Sequence, residues 1–481
     1  MLFKGALLKK MDITNKEFKR KFSFSFHKNL RMKLAEMTFT KDFVNDTRGD
    51  LYPLVYKSEG CVERVLENGY EVKSGEAERI VCELFPYATY ELEFVRGGHV
   101  GLGFILPTAK ASVFVNDGRL FFSCGDEQSC ELPDYLSECV RMLVSLRPGA
   151  FDVYFMQNGA ARFFTTFKSA AFSSSHSYAV FTKSKVSLTA RSGARVTRLS
   201  SFIDNGVSIA DMRPIRYENG EVMVELGRVY FTATIRMEEE AFQGVFSWVP
   251  STAEIELCGA IFYDSGDGLW CGDLAASVLY HREKRLWYLW VCSFAHEHIL
   301  GHSIFDGDVR FGVNVVDIEL MKKADDPMRI TEFSGFSGDE DPDFFYDESE
   351  GRWLMAVCRL DSQTRKYRYV FFESDEPFSG YRYIGAGLDG AETGGSFVRV
   401  DGEVFFVCGN DFNLKSNYRI YGKHGMVNAK FDYPDGGFRG WGTLMPIKTG
   451  SRTRYFWLTF DRHLGSGYNW SYGNLYCFEA Y

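Results

Sequence analysis

Proline is scarce in this sequence, at 12 of 481 residues, and no apolar run is long enough to cross a bilayer. A membrane span is therefore excluded from the expected architecture. The N-terminus lacks an uninterrupted apolar segment followed by small residues, because Lys4, Lys9 and Lys10 break it up. Cytoplasmic residence is the default expectation, with a periplasmic or secreted location if an export signal was removed. Positive charge is also in short supply: the formal net charge is −9, which argues against general affinity for nucleic acid. Metal-knuckle spacing is missing from the eleven cysteines, since Cys124 and Cys130 stand six apart. Cys82, Cys292, Cys358, Cys408 and Cys477 sit in apolar strand-like runs, as small reduced hydrophobes would. No G-x-S-x-G elbow occurs. GAGLDG at 385–390 spells a dinucleotide glycine pattern but leads into a strand rather than a helix.

What is abundant is aromatic: 44 Phe and 26 Tyr, a composition that favours sheets. The stretch GDEDPDFFYDESEGRW tests this. Asp339, Asp341, Asp343 and Glu350 fall at positions one, three, five and twelve of a calcium loop. Such a loop needs glycine at position six, and Phe344 stands there, followed by Phe345 and Tyr346. The segment reads as an extended strand with acids in front of it. No metal ligand set and no cofactor are expected, although a structural calcium held by acids is compatible with the pattern.

The whole chain reads as all-β. Residues 1–40 form a basic N-terminal arm carrying Lys16, Lys19, Arg20, Lys21, Lys28, Arg31 and Lys33. Residues 41–204 read as an antiparallel β-sandwich or jelly roll, with Asn116-Asp117-Gly118 and Asn158-Gly159 closing hairpins. Its runs at 100–122 and 151–167 resemble lectin-like sandwiches of the concanavalin type. From 205 to 481 a motif repeats: an acid-bearing loop, a short apolar strand, a tight polar turn and an aromatic strand. Its copies begin near Asp211, Asp273, Asp341, Glu392 and Gly442, which are 62, 68, 51 and 50 residues apart. Five copies at that spacing predict a five-bladed β-propeller. Residues just before each innermost strand collect round the axis, so the acids would share one pocket. Crowding raises carboxyl pKa values, and glycosidic chemistry needs one protonated and one ionised acid.

At Asp211 in ADMRPI, Asp341 in DEDPDFFYD and Glu392 in AETGGSF, the chain resembles the five-bladed glycosidases of glycoside hydrolase family 43 and their relatives. The resemblance implies a base Asp on blade one, an orienting Asp on blade three and an acid Glu on blade four. Two departures stand out: Thr393-Gly394 follows Glu392 where the family has Gly-Pro, and Met212-Arg213 separates Asp211 from Pro214. The expected catalytic set is Asp211, Asp341 and Glu392. The expected substrate-binding set is Asp273, Arg213, Arg236, His298, His302, Arg359, His424 and Arg462. The arginines suit an acidic sugar or, equally, pair with the neighbouring acids. His298 and His302 in AHEHILGH are expected on a loop at the pocket mouth, and His424 in the same part from blade four. Trp248 and Trp270 fall in turn-like segments where a ring could stack on a sugar, whereas Trp287, Trp290, Trp353 and Trp457 fall in strands. The expected partner is an oligo- or polysaccharide, and the expected state a monomer or weak homo-oligomer. Use of phosphate in place of water is a close variant. A glycan-binding or scaffold protein is the reading from another class, and Glu392 discriminates: an enzyme needs it in the pocket facing Asp211.

Overall fold

The computed structural model describes residues 18–26, 28–44, 52–321, 336–361, 364–388, 391–411, 418–423, 425–429, 438–461 and 474–480. They are almost entirely strand. The chain divides into two compact units, one of Met1–Phe26, Asn205–Asp267 and Cys271–Tyr481, the other of His27–Asp204 and Gly268–Trp270.

The smaller unit holds a seven-stranded and an eight-stranded antiparallel sheet. Rings from the two sheets meet face to face: Phe104 lies 5.0 Å from Phe151, and Phe122 lies 5.0 Å from Phe167. Both expected hairpins are present. Asp117 and Gly118 take φ of 46° and 76°, and Asn158 and Gly159 take 51° and 80°. Two successive left-handed residues give the turn whose twist matches paired strands, which is why Asn, Asp and Gly occupy it.

The larger unit is a five-bladed β-propeller. The innermost strands are Ser208–Pro214, Leu274–His281, Phe336–Asp347, Ala391–Val400 and Phe438–Thr449. Each packs on the next, and the last packs on the first, which closes the ring. Every blade then adds antiparallel strands outward, and blade one ends on a parallel strand, Gly312–Asp317. Apolar residues alternating to both faces of each sheet fill the spaces between blades. Val278, Leu289 and Val291 of blade two meet Val245 and Ile261 of blade one in one such cluster, and Phe344, Met355 and Phe372 of blade three meet Trp290 in another. Trp248, expected on a turn, is 1 % exposed in the third strand of blade one, edge-on to Phe456 of blade five. It seals the ring rather than offering a sugar platform. Cys292, Cys358, Cys408 and Cys477 are buried free thiols.

Blade five takes its outermost strand from the other end of the chain. Lys19–Ser25, expected in a solvated arm, pairs antiparallel with Asn474–Ala480. Phe22, Phe24 and Phe26 alternate inward, with Phe22 and Phe26 near Trp248 and Phe246. Lys19, Arg20 and Lys21, which precede them on the strand and are exposed, mark an open edge, where charge discourages pairing with further chains. Residues 31–37 pair instead with Arg195–Asp204 in the smaller unit. Deleting residues 1–26 is expected to bare the edge of Asn474–Ala480 and lower the thermal midpoint measurably. An unchanged midpoint would show that blade five closes without this strand.

Candidate active site

Each of the first four inner strands carries a bulge, seen as a register shift between positions 210/213, 274/277, 340/343 and 393/396. The first extra residue is left-handed every time: Asp211 at φ 52°, Ala275 at 57°, Asp341 at 48° and Gly394 at 58°. A bulge re-aims its side chain and interrupts the ladder at the mouth of the barrel-like axis. Asp and Gly are among the residues that tolerate this conformation best.

This register corrects the sequence alignment of the repeats. Asp211 and Asp341 occupy equivalent positions on blades one and three. Asp273 and Glu392 lie two residues earlier, and their blades place Ala275 and Gly394 at the equivalent point. The acids therefore form one matched pair and two separate groups.

The matched pair is mutually close. Burial, followed by the charge of Asp211, pushes the Asp341 carboxyl up to about 7, against the counteracting charge of Arg213. Asp341 Oδ2 accepts the Gly394 backbone N–H at 3.1 Å, so blade four does contribute to the pair, through its amide. Arg236 comes within 3.9 Å of Asp211 Oδ2. Arg213 is 1 % exposed, and among the described residues its Nε and Nη2 have no hydrogen-bond partner.

Glu392 is buried where blades three and four meet. Its Oε1 takes Arg419 Nη1 at 2.6 Å and the Tyr421 hydroxyl, and its Oε2 takes the Tyr369 N–H at 3.2 Å. Gly387 packs so closely that a Cβ there would lie 2.1 Å from Oε2. Burial raises its pKa while Tyr421 and Arg419 oppose the rise. Both of its oxygens are thus held by groups of blades three and four. Asp273 is 2 % exposed and raised by burial; its Oδ1 accepts the Ala295 N–H at 3.4 Å.

Between blades two and three runs the segment 293–298. His298 Nδ1 lies 3.2 Å from Glu340 Oε1, the residue before Asp341, and this hydrogen bond raises the imidazole pKa. Tyr367 donates to the same oxygen at 3.1 Å. Arg359 Nε donates to Asp339 Oδ1 at 2.6 Å. His302 lies in the strand Ile299–Phe305 rather than on a loop, packed 4.9 Å from both Trp290 and Phe378, so it belongs to the packing between blades two and three. Its position four residues on from His298 suggests a common face only if the segment is helical; a strand sends it elsewhere. His424 and Arg462 lie outside the described residues. Sequence reasoning missed Glu340, Tyr367, Arg419 and Tyr421. The tyrosines and Arg419 sit in strand runs that look like packing, and Glu340 was masked by the aspartates on either side. Among the described residues, no group of three or more His, Cys, Asp or Glu is arranged to hold a metal ion, and no helix is long and apolar enough to cross a membrane.

No family model matches the chain, and no curated protein matches it. Among solved structures, the chain is similar to a GH43 β-1,3-galactosidase with galactodeoxynojirimycin at 12% identity, over 56% of this chain and 93% of that one, with a TM-score of 0.36. A GH62 hydrolase in complex with xylotriose gives 10% identity over 58% and 92%, with a TM-score of 0.39. A family 117 glycoside hydrolase produced by the marine bacterium Zobellia galactanivorans gives 12% identity over 57% and 86%, also with a TM-score of 0.39.

Proposed function

We propose that this chain is a glycoside hydrolase acting on an oligo- or polysaccharide, with Asp211 and Asp341 as its working carboxyl pair. The observation that carries this is their equivalence: two acids at matched left-handed bulges on blades one and three, where burial and then the charge of Asp211 push the Asp341 carboxyl up to about 7. Protonated Asp341 gives its proton to the glycosidic oxygen as the anomeric C–O bond breaks. Ionised Asp211 takes a proton from the attacking water, or attacks the anomeric carbon itself. The proton donor thereby moves from Glu392 to Asp341, because the oxygens of Glu392 are engaged by Arg419 of blade four and the Tyr369 N–H of blade three.

A second reading, a pocket that binds a glycan without cleaving it, is favoured by one observation: blade four offers Gly394 where blades one and three offer acids. The test is hydrolysis of a panel of arabino-, xylo-, galacto- and uronate-containing oligosaccharides by the wild type. Cleavage of a member supports the enzyme, whereas binding of a member without cleavage supports the second reading.

Asp341 also fixes a pH dependence. Activity that needs its proton is expected to fall as pH rises through about 7. The sign for stability is the same. A carboxyl raised in the folded state contributes stability that is fully present below its unfolded value of about 3.9 and is lost as pH rises through the folded value. Thermal midpoints measured at several pH values should therefore decline toward neutrality in the wild type more than in Asp341→Asn. Parallel curves would remove Asp341 from this role.

A further inference from the structure

The rim beside Asp341 carries an exposed aromatic ring that packing does not explain. Phe294 is 42% exposed, at the start of the short 3-10 turn Phe294–His296. Its ring centroid lies 4.1 Å from that of His298. His298 is in turn held by Glu340, and its carbonyl accepts the Asp339 N–H at 3.0 Å. The other end of the turn is tied to blade two, where Ala295 N–H meets Asp273 and the Ser293 hydroxyl meets His296 Nδ1 at 2.8 Å. Glu297 and His298 are both left-handed, at φ 57° and 59°. Two consecutive non-glycine residues in that region are costly, and such strain gathers at ligand clamps. The turn is thus fixed at both ends, one of them a single residue from Asp341, and it leaves the Phe294 ring part-exposed.

The charges around it bear on what that face meets. The acids around it are Asp211, Asp273, Asp339, Glu340 and Asp341, and the bases are Arg213, Arg236, Arg359 and His298. Arg236 already faces Asp211, Arg359 already binds Asp339, and Arg213 is fully buried. A sugar carboxylate entering here would compete with Asp211 for Arg236 and with Asp339 for Arg359, and would find no unengaged exposed guanidinium among the described arginines of the rim.

We infer, resting on the glycosidase reading, that Phe294 is the stacking wall for a sugar ring and that the sugar is neutral. The apolar C–H face of a pyranose or furanose covers the exposed ring, while the neighbouring carboxyls accept its hydroxyls. The experiment compares wild type, Phe294→Ala and Phe294→Trp on neutral arabino-, xylo- and galacto-oligosaccharides and on a uronate-containing one. Phe294→Ala is expected to raise KM for the cleaved sugar about tenfold with kcat nearly unchanged, and Phe294→Trp to restore it. An unchanged KM, or preference for the uronate, overturns the inference. If no sugar is cleaved, the glycosidase reading fails separately, and calorimetric titration of the same neutral sugars still decides the platform. Weaker binding by Phe294→Ala than by wild type keeps it; equal binding, or none to the wild type, overturns it.

Discussion

Asp211→Asn is expected to lower kcat/KM on the sugar that the wild type cleaves by about 10²–10⁴-fold, the range that a positioned acid–base group supplies. The fold should survive the change. Residue 211 is left-handed, and Asn adopts that conformation about as readily as Asp, so no backbone strain is introduced. The replacement keeps the volume and an acceptor toward Arg236 while deleting the charge that raises Asp341. A second signature follows: with Asp211 neutral, Asp341 should titrate lower, and any residual activity should lose its proton dependence at a lower pH than in the wild type. Turnover in Asp211→Asn within a factor of a few of wild type would take the pair out of the chemistry.

Glu392 supplies the contrast that makes this decisive. Glu392→Gln removes the buried charge that Arg419 of blade four pairs with, so its main expected consequence is on stability. Unfolding should come earlier while kcat in the surviving folded protein changes much less than in Asp211→Asn. If instead the folded variant loses turnover as completely as Asp211→Asn, the acid is Glu392, and it must leave Arg419 and Tyr421 to act.

Much of the fold is legible in the amino-acid sequence alone. The alternation of apolar and polar residues announces strands, the turn dipeptides announce hairpins, and five similar units of blade length announce the propeller. The offset between the acids is not legible in the same way, because a bulge adds a residue without leaving a hydropathy signature. A counting rule exposes it: each left-handed residue lies three positions before an adjacent pair of apolar residues in, or ending just past, the inner strand. Those pairs are Pro214-Ile215, Val278-Leu279, Phe344-Phe345 and Phe397-Val398. Counting back from them reaches Asp211, Ala275, Asp341 and Gly394. Anchoring on acids alone reaches Asp273 and Glu392 instead. The N-terminal strand is hidden for the opposite reason: its charges are conspicuous, and the phenylalanines at 18, 22, 24 and 26 that pattern it as an edge strand are easily read past.

The largest stability effect is expected at a pair that sequence reading passes over. Asp343 and Arg216 are 0% and 1% exposed and form a two-pronged ion pair. Arg216 lies two residues past the inner strand of blade one, where the chain pairs in parallel with Leu274–His281 of blade two, and it also bonds the carbonyls of Phe344 on blade three, at 2.9 Å, and Phe397 on blade four, at 2.8 Å. The Ser277 hydroxyl of blade two bridges to both members, and the Phe397 N–H donates to Asp343 at 2.6 Å. One buried charge pair thus pins four blades at the axis. Asp343→Ala strands the guanidinium there and should cost about 3–5 kcal/mol, a large share of the roughly 5–15 kcal/mol that holds a typical domain folded. Replacing both members together, as Arg216→Met with Asp343→Leu, removes the stranded charge as well as the bond. Urea unfolding should therefore find the double variant more stable than Asp343→Ala, even though it carries one more substitution. A double variant no better than the single would mean that the hydrogen bonds to the four blades, rather than the buried charge, carry the stability. Because Asp343 lies two residues beyond Asp341 on the same inner strand, the single variant should also lose activity through a displaced Asp341, and the double variant should recover part of it as the strand is held again by packing.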